Sequence, residues 1–201
     1  MTSDVESHDL KVPMKQSTAV LVACLLTSLS SLADPLHPFG NDGAWRHEYS
    51  GWQFIKQVVG FTRVMAPYTI DGNNDVGVRY EHAATGGAPL SAIVEVYLAD
   101  SAAHDAKLDG AKASAASTAG ESAHLRSEKS FEVGDGIRGV KVTYAADARS
   151  SGAQTSLYFF EIRRWRVKVL GSTAAADAGK EFDTFVKALP WDTLGDPTAL
   201  H

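Results

Sequence analysis

A chain of 201 residues with 19 basic and 24 acidic side chains has a net charge of −5 and a single cysteine, Cys24. Nucleic-acid binding needs clustered excess Lys and Arg to neutralise phosphates, and this balance excludes it. One cysteine likewise excludes a disulfide framework and a thiolate metal cluster.

From Met14 to Ala33 the chain reads MKQSTAVLVACLLTSLSSLA, in which Lys15 precedes an uncharged apolar run that ends in the small residues Ser31 and Ala33. The apolar core from Ala19 to Leu32 is too short to cross ~30 Å of hydrocarbon. The pattern predicts a secretory signal peptide over residues 1–33, cut between Ala33 and Asp34. Asp4, Glu6 and Asp9 are out of place in an n-region whose orientation depends on positive charge, so translation is expected to start at Met14. Cys24 follows Leu21, Val22 and Ala23, as in a bacterial lipobox, and a lipoprotein anchored through Cys24 is the alternative. Nine apolar or small residues after Cys24 extend the h-region, which favours a small hydrophobe within the signal. Export leaves 168 residues, 17 basic and 21 acidic, without cysteine. That is the size of one domain, and its stability must come from packing. A cysteine-free exported domain fits the periplasm or exterior of a bacterium.

Residues 34–44 combine prolines, glycines and an Asn-Asp pair and predict an irregular leader. A single domain is expected over 45–192. Its first part, Trp45 to Ile70, predicts short strands punctuated by Gly51, Gly60 and Pro67. The Asp71–Asp75 stretch, DGNND, predicts a hairpin leading into Val76–His82, where Val76, Val78 and Tyr80 alternate with polar neighbours. Ile93 to Leu98 forms a further β-rich run. Between Asp100 and Ala123 alanine dominates, predicting a helix from about Ser101 to Thr118 that Gly110 weakens; its alanine face buries little area, so it is expected to be the most mobile ordered part.

Ser127–Val133, Ile137–Ala145 and Gln154–Leu170 return to strand chemistry, and the last is long enough to fold back on itself. A turn at Arg163-Arg164 sets Ile162 against Trp165, Phe160 against Val167, Tyr158 against Val169 and Glu161 against Arg166. One face then becomes apolar and the other gains an ion pair. Two arginines supply positive φ poorly, which favours a wider loop. From about Ala174 to Leu189 an amphipathic helix is expected, with Ser172 or Thr173 as N-cap, Pro190 as stop and a stripe of Ala178, Phe182, Phe185, Val186 and Leu189. Trp191 closes the core edge, and residues 193–201 are expected to fray. The order of elements predicts an α+β fold, an antiparallel sheet packed against helices.

The run Gly51-Trp52-Gln53-Phe54 with Val58-Val59-Gly60-Phe61, the stretch Leu157–Gly171, and the closing helix through Phe182, Phe185 and Leu189 resemble the PsbP/DcrB-like α+β sandwich proteins, many of them exported and bacterial. The resemblance covers most of residues 45–191 in element order and departs at Arg163-Arg164, where relatives often carry Gly or Asn. It implies a non-catalytic accessory or binding domain and transfers no functional residue.

Asp71, Asn73 and Asp75 begin like a calcium loop, but His82 at the twelfth position cannot be the closing carboxylate, and a turn is the better reading. His47-Glu48 and Glu81-His82 are adjacent pairs whose members point to opposite faces of a strand, so neither predicts a metal site. No G-x-S-x-G, S-x-x-K, H-E-x-x-H or P-loop occurs, and no cofactor is expected. The strongest charge anomaly is the basic cluster around Trp165. If Arg166 and Lys168 share the outer sheet face with Lys141, then Lys141, Arg164, Arg166 and Lys168 form a patch for an anionic ligand or an envelope protein. The alternative is a solvated face that discourages aggregation. The leading expectation is a non-enzymatic binding domain of the cell envelope. A hydrolase with a site assembled from loops is the rival.

Overall fold

The computed structural model describes residues 36–40, 43–70, 74–83, 89–146, 154–174 and 178–195. Met14, Cys24 and the Ala33–Asp34 junction lie outside the described residues.

The fold is α+β, a large antiparallel sheet with two helices packed against it. A small sheet comes first, from β1 (Leu36–Phe39), β2 (Ala44–His47) and β3 (Gln53–Phe54). The chain then contributes β4 (Gln57–Val58), β5 (Phe61–Arg63), β6 (Tyr68–Thr69), β7 (Val76–His82) and β8 (Leu90–Leu98) to the main sheet. A 3-10 turn (His104–Ala106) and helix α1 (Leu108–Ala119) follow. The main sheet is completed by β9 (His124–Val133), β10 (Ile137–Ala145), β11 (Gln154–Ile162) and β12 (Trp165–Thr173), before helix α2 (Gly179–Lys187) and a last 3-10 turn (Trp191–Thr193). The spatial order is β4-β5-β7-β8-β12-β11-β10-β9, with β6 beside β7. The β11–β12 hairpin therefore fills the place between β8 and β10.

Alternation gives the main sheet two buried faces. Val78, Val94, Val96, Val167, Val169, Tyr158 and Phe160 point to the side of α2, where Phe182, Phe185 and Val186 meet them together with Trp52 and Phe54. Each such aromatic removed from water contributes about 1.5–3 kcal/mol. Trp191 lies with its ring 4.6 Å from that of Phe160 and 5.3 Å from that of Trp52, closing the core as expected. On the other side Ala111 and Ala115 of α1 pack on Val142, Tyr144, Leu157, Phe159 and Leu170. Small alanine side chains bring the helix backbone close to the sheet but bury little surface.

The β11–β12 hairpin has the register that alternation predicts: Ile162 opposite Trp165, Phe160 opposite Val167, Tyr158 opposite Val169, Glu161 opposite Arg166. The turn is two residues and no wider, with Arg163 in the left-handed region at φ +55°. Neighbouring backbone supports it, since the Ala99 amide donates to the Arg164 carbonyl at 2.7 Å and the Arg166 guanidinium donates to the Ala99 carbonyl.

Several boundaries differ from the sequence reading. Leu36–Phe39 pairs with β2 where an irregular leader is expected, and Pro38 is tolerated because β1 is an edge strand that leaves its nitrogen outside the ladder. Helix α1 begins at Leu108, later than expected, because Ser101 instead donates to the Asp75 carboxylate and accepts from the Ala103 amide. Gly110 then lets the His104–Ala106 turn fold back on α1, since a Cβ there would collide with the His104 carbonyl. Ser172 and Thr173 belong to β12, and α2 starts at Gly179, with no side-chain cap. In the expected tail Leu194 is buried and the Gly195 amide donates to the Ser50 carbonyl.

Candidate functional site

Strand β10 carries Lys141 and Thr143 on the face that α2 covers. Lys141 is directly opposite Lys129 on β9 and Tyr158 on β11. Facing lysines repel across a ladder, and Lys141 is only 5% exposed, so it requires a countercharge. Asp183 on α2 supplies it at 2.5 Å, and the Tyr158 hydroxyl donates to the same carboxylate oxygen at 2.6 Å. Burial, then this hydrogen bond and the aspartate charge, push the Tyr158 phenol well above its ordinary range, so it remains a donor.

Beside this triad opens a hollow of about 320 Å³, lined by Arg126, Ser127, Lys141, Thr143, Gln154, Gly179, Lys180 and Asp183. Three cations face one carboxylate. Ser127 and Thr143 add hydroxyls, and Gln154 adds an amide that already donates to Ser156 at 3.1 Å. Charged donors converging beside neutral ones bind oxyanions, with charge-assisted bonds about twice as strong as neutral ones. Lys141 is engaged by Asp183 and Tyr158 and is not positioned as a base for Ser127. A close serine–histidine contact, Ser50 Oγ to His47 Nδ1 at 2.7 Å, is fully buried in the β2–β3 turn and inaccessible to substrate.

The four cluster residues are not brought together. Lys141 faces α2, whereas Arg166 and Lys168 face α1, because Lys168 is opposite Phe159 and Glu95 while Lys141 is opposite Tyr158. Arg164 is exposed in the hairpin turn. Arg166 pairs with Glu161 at 3.0 Å. Lys168 is 3% exposed and held between Glu95 and Asp105, the latter at 2.6 Å, so its charge is already compensated. Tyr97 and Tyr68 also donate to Glu95, at 3.0 and 3.5 Å. Burial and the Glu95 charge push Tyr68 up to about 12 and Tyr97 further. Among the described residues no group of three or more His, Cys, Asp or Glu is arranged to hold a metal ion.

Of the groove residues only Lys141 stands out in the sequence. Alternation along β10 pairs it with Thr143, but nothing local says that Arg126, Lys180 and Asp183 arrive from elsewhere. A larger hollow of about 460 Å³ beside Leu108, Val140 and Phe159 has its rim charges satisfied, Arg138 by Glu132 at 3.2 Å and Glu161 by Arg166.

No protein-family model matches the chain, and no curated protein matches it significantly. Among solved structures the chain is similar to PA94 of Pseudomonas aeruginosa, a protein of unknown function, with a TM-score of 0.44 and 16% sequence identity over 67% of this chain and 99% of that one.

Proposed function

We propose that this is a non-catalytic binding domain of the bacterial cell envelope that takes an anionic ligand in the Lys141 groove. The observation that carries the reading is the convergence of Arg126, Lys141 and Lys180 on one hollow with Asp183 as the single carboxylate lining it. The signal-like leader and the resemblance to PsbP/DcrB-like exported proteins support the location and the non-catalytic role. The test is calorimetric titration of the exported chain with inorganic phosphate, citrate and a short polyglutamate. Binding that weakens with salt, and about three- to tenfold with Arg126→Ala or Lys180→Ala, is expected. Absence of binding by all three at about 1 mM, or binding indifferent to both variants, would overturn the reading. Recovery of the uncut chain from the cytosol would overturn the envelope location.

A further inference from the structure

The flank of α2 opposite the Lys141 groove holds a second hollow, about 300 Å³, lined by Val59, Phe61, His82, Lys180, Glu181 and Thr184. Its outer wall is the two-residue turn Val59-Gly60 between β4 and β5, with φ of +45° and +83°. Turns of this kind favour Asn-Gly, and a β-branched side chain in the left-handed region is strained. Burial does not offset that strain, because Val59 is 55% exposed. Gly60 has a packing reason, since a Cβ there would stand 2.6 Å from His82 Nε2.

The inner wall carries a second anomaly. His82 lies with its ring 5.1 Å from that of Phe61, and its Nδ1 is buried with no hydrogen-bond partner among the described residues. Buried polar atoms are nearly always paired. Backbone strain clusters at functional sites, and here the strained turn and the imidazole with the unpaired nitrogen both line one hollow.

The charges name the ligand's class. Lys180 and Glu181 are consecutive on α2, about 100° apart, so helix geometry keeps them from pairing with each other. Neither has an ion pair among the described residues. A cation and an anion held side by side against Val59 and Phe61 complement a molecule with one carboxylate, one ammonium and an apolar branch. Thr184 Oγ1 donates to the Lys180 carbonyl at 2.9 Å and keeps lone pairs for that ammonium.

We propose that this hollow is a second site, sharing only Lys180 with the anion groove, for a small zwitterion of the free amino-acid type, with the Val59-Gly60 turn as its apolar wall. The test is calorimetric titration of the full chain with L-leucine, N-acetyl-L-leucine and L-leucinamide. Leucine is expected to bind, and each derivative, having lost one charge, to bind at least about tenfold more weakly. Glu181→Gln is expected to weaken leucine binding by a similar factor, while Arg126→Ala on the other flank leaves it unchanged. Val59→Asn separates function from structure: it relieves the turn and raises Tm by about 2–4 °C, yet weakens leucine binding. No saturable binding of leucine at about 10 mM, equal binding of all three probes, or full affinity in Glu181→Gln overturns the proposal. A Val59→Asn chain that is less stable overturns the strain argument.

Discussion

Lys141 and Lys168 stand on opposite faces of one sheet, and each is neutralised by an aspartate from a different helical segment, Asp183 of α2 and Asp105 of the turn before α1. The two ion pairs fasten the two helical layers, but they differ in depth. Glu95 and Lys168 are both nearly inaccessible, whereas Asp183 keeps about a third of its surface in water, 31%. Lys168→Met is therefore expected to cost about 3–5 kcal/mol in urea unfolding, because it leaves the Glu95 charge buried without a counterion. Adding Glu95→Gln is expected to recover most of that loss. Lys141→Met is expected to cost about 1 kcal/mol, since water can take over Asp183.

Alkaline stability follows from the tyrosines. Tyr68 is pushed up to about 12, first by burial and then by Glu95, against about 10 in the unfolded chain. The folded state thus holds the phenolic proton more tightly. Its contribution is complete below about pH 10 and is lost as pH rises from there through about 12. Tyr97 and Tyr158 are displaced in the same direction. Denaturation midpoints are expected to fall in this window, and Tyr68→Phe to flatten the fall; a flat profile in the parent chain would contradict the assignment.

The Arg163 turn offers a stabilising change. Arg163 adopts φ +55° without the tolerance of Gly or Asn. Arg163→Gly is expected to stabilise the chain by about 0.5–1 kcal/mol, less the added entropy of the unfolded glycine, as a shift in urea midpoint with unchanged slope.

Gly110 makes the opposite case. Helix propensity alone credits Gly110→Ala with about 1 kcal/mol of stabilisation. The added methyl would meet the His104 carbonyl, a backbone group that cannot swing away. A net loss of about 1–3 kcal/mol is expected, with weakened protection of the Asp105 turn in amide exchange. Helix α1 as a whole, resting on alanines, is expected to exchange faster than β11 and β12.

The hairpin register was legible because Tyr158, Phe160 and Ile162 before the turn and Trp165, Val167 and Val169 after it are large and apolar at alternate positions, and a one-residue slip would turn one set outward. The stripe of α2 was legible for the same reason. Strand β1 was hidden by Pro38 and Gly40, which signal irregular chain unless an edge position is known. The basic cluster misled because proximity in sequence says nothing about face: Arg166 and Lys168 share one, while Lys141 reaches the other through pairing with β11. The groove and the His82 hollow both depend on where the first turn of α2 lands, which is decided by Phe182 and Phe185 packing on Gly171, Phe61 and Tyr80.

The position of the last hairpin governs when the molecule can take shape. Strands β4–β8 lie on one side of it and β9 and β10 on the other, so until residue 173 is available these two groups share no ladder that could zip them together. Pairing of β8 with β12 spans some seventy positions, a slow event that waits for nearly the whole polypeptide. Closure of the main sheet is therefore reserved for the end of folding, whatever hairpins have already formed on either side of it.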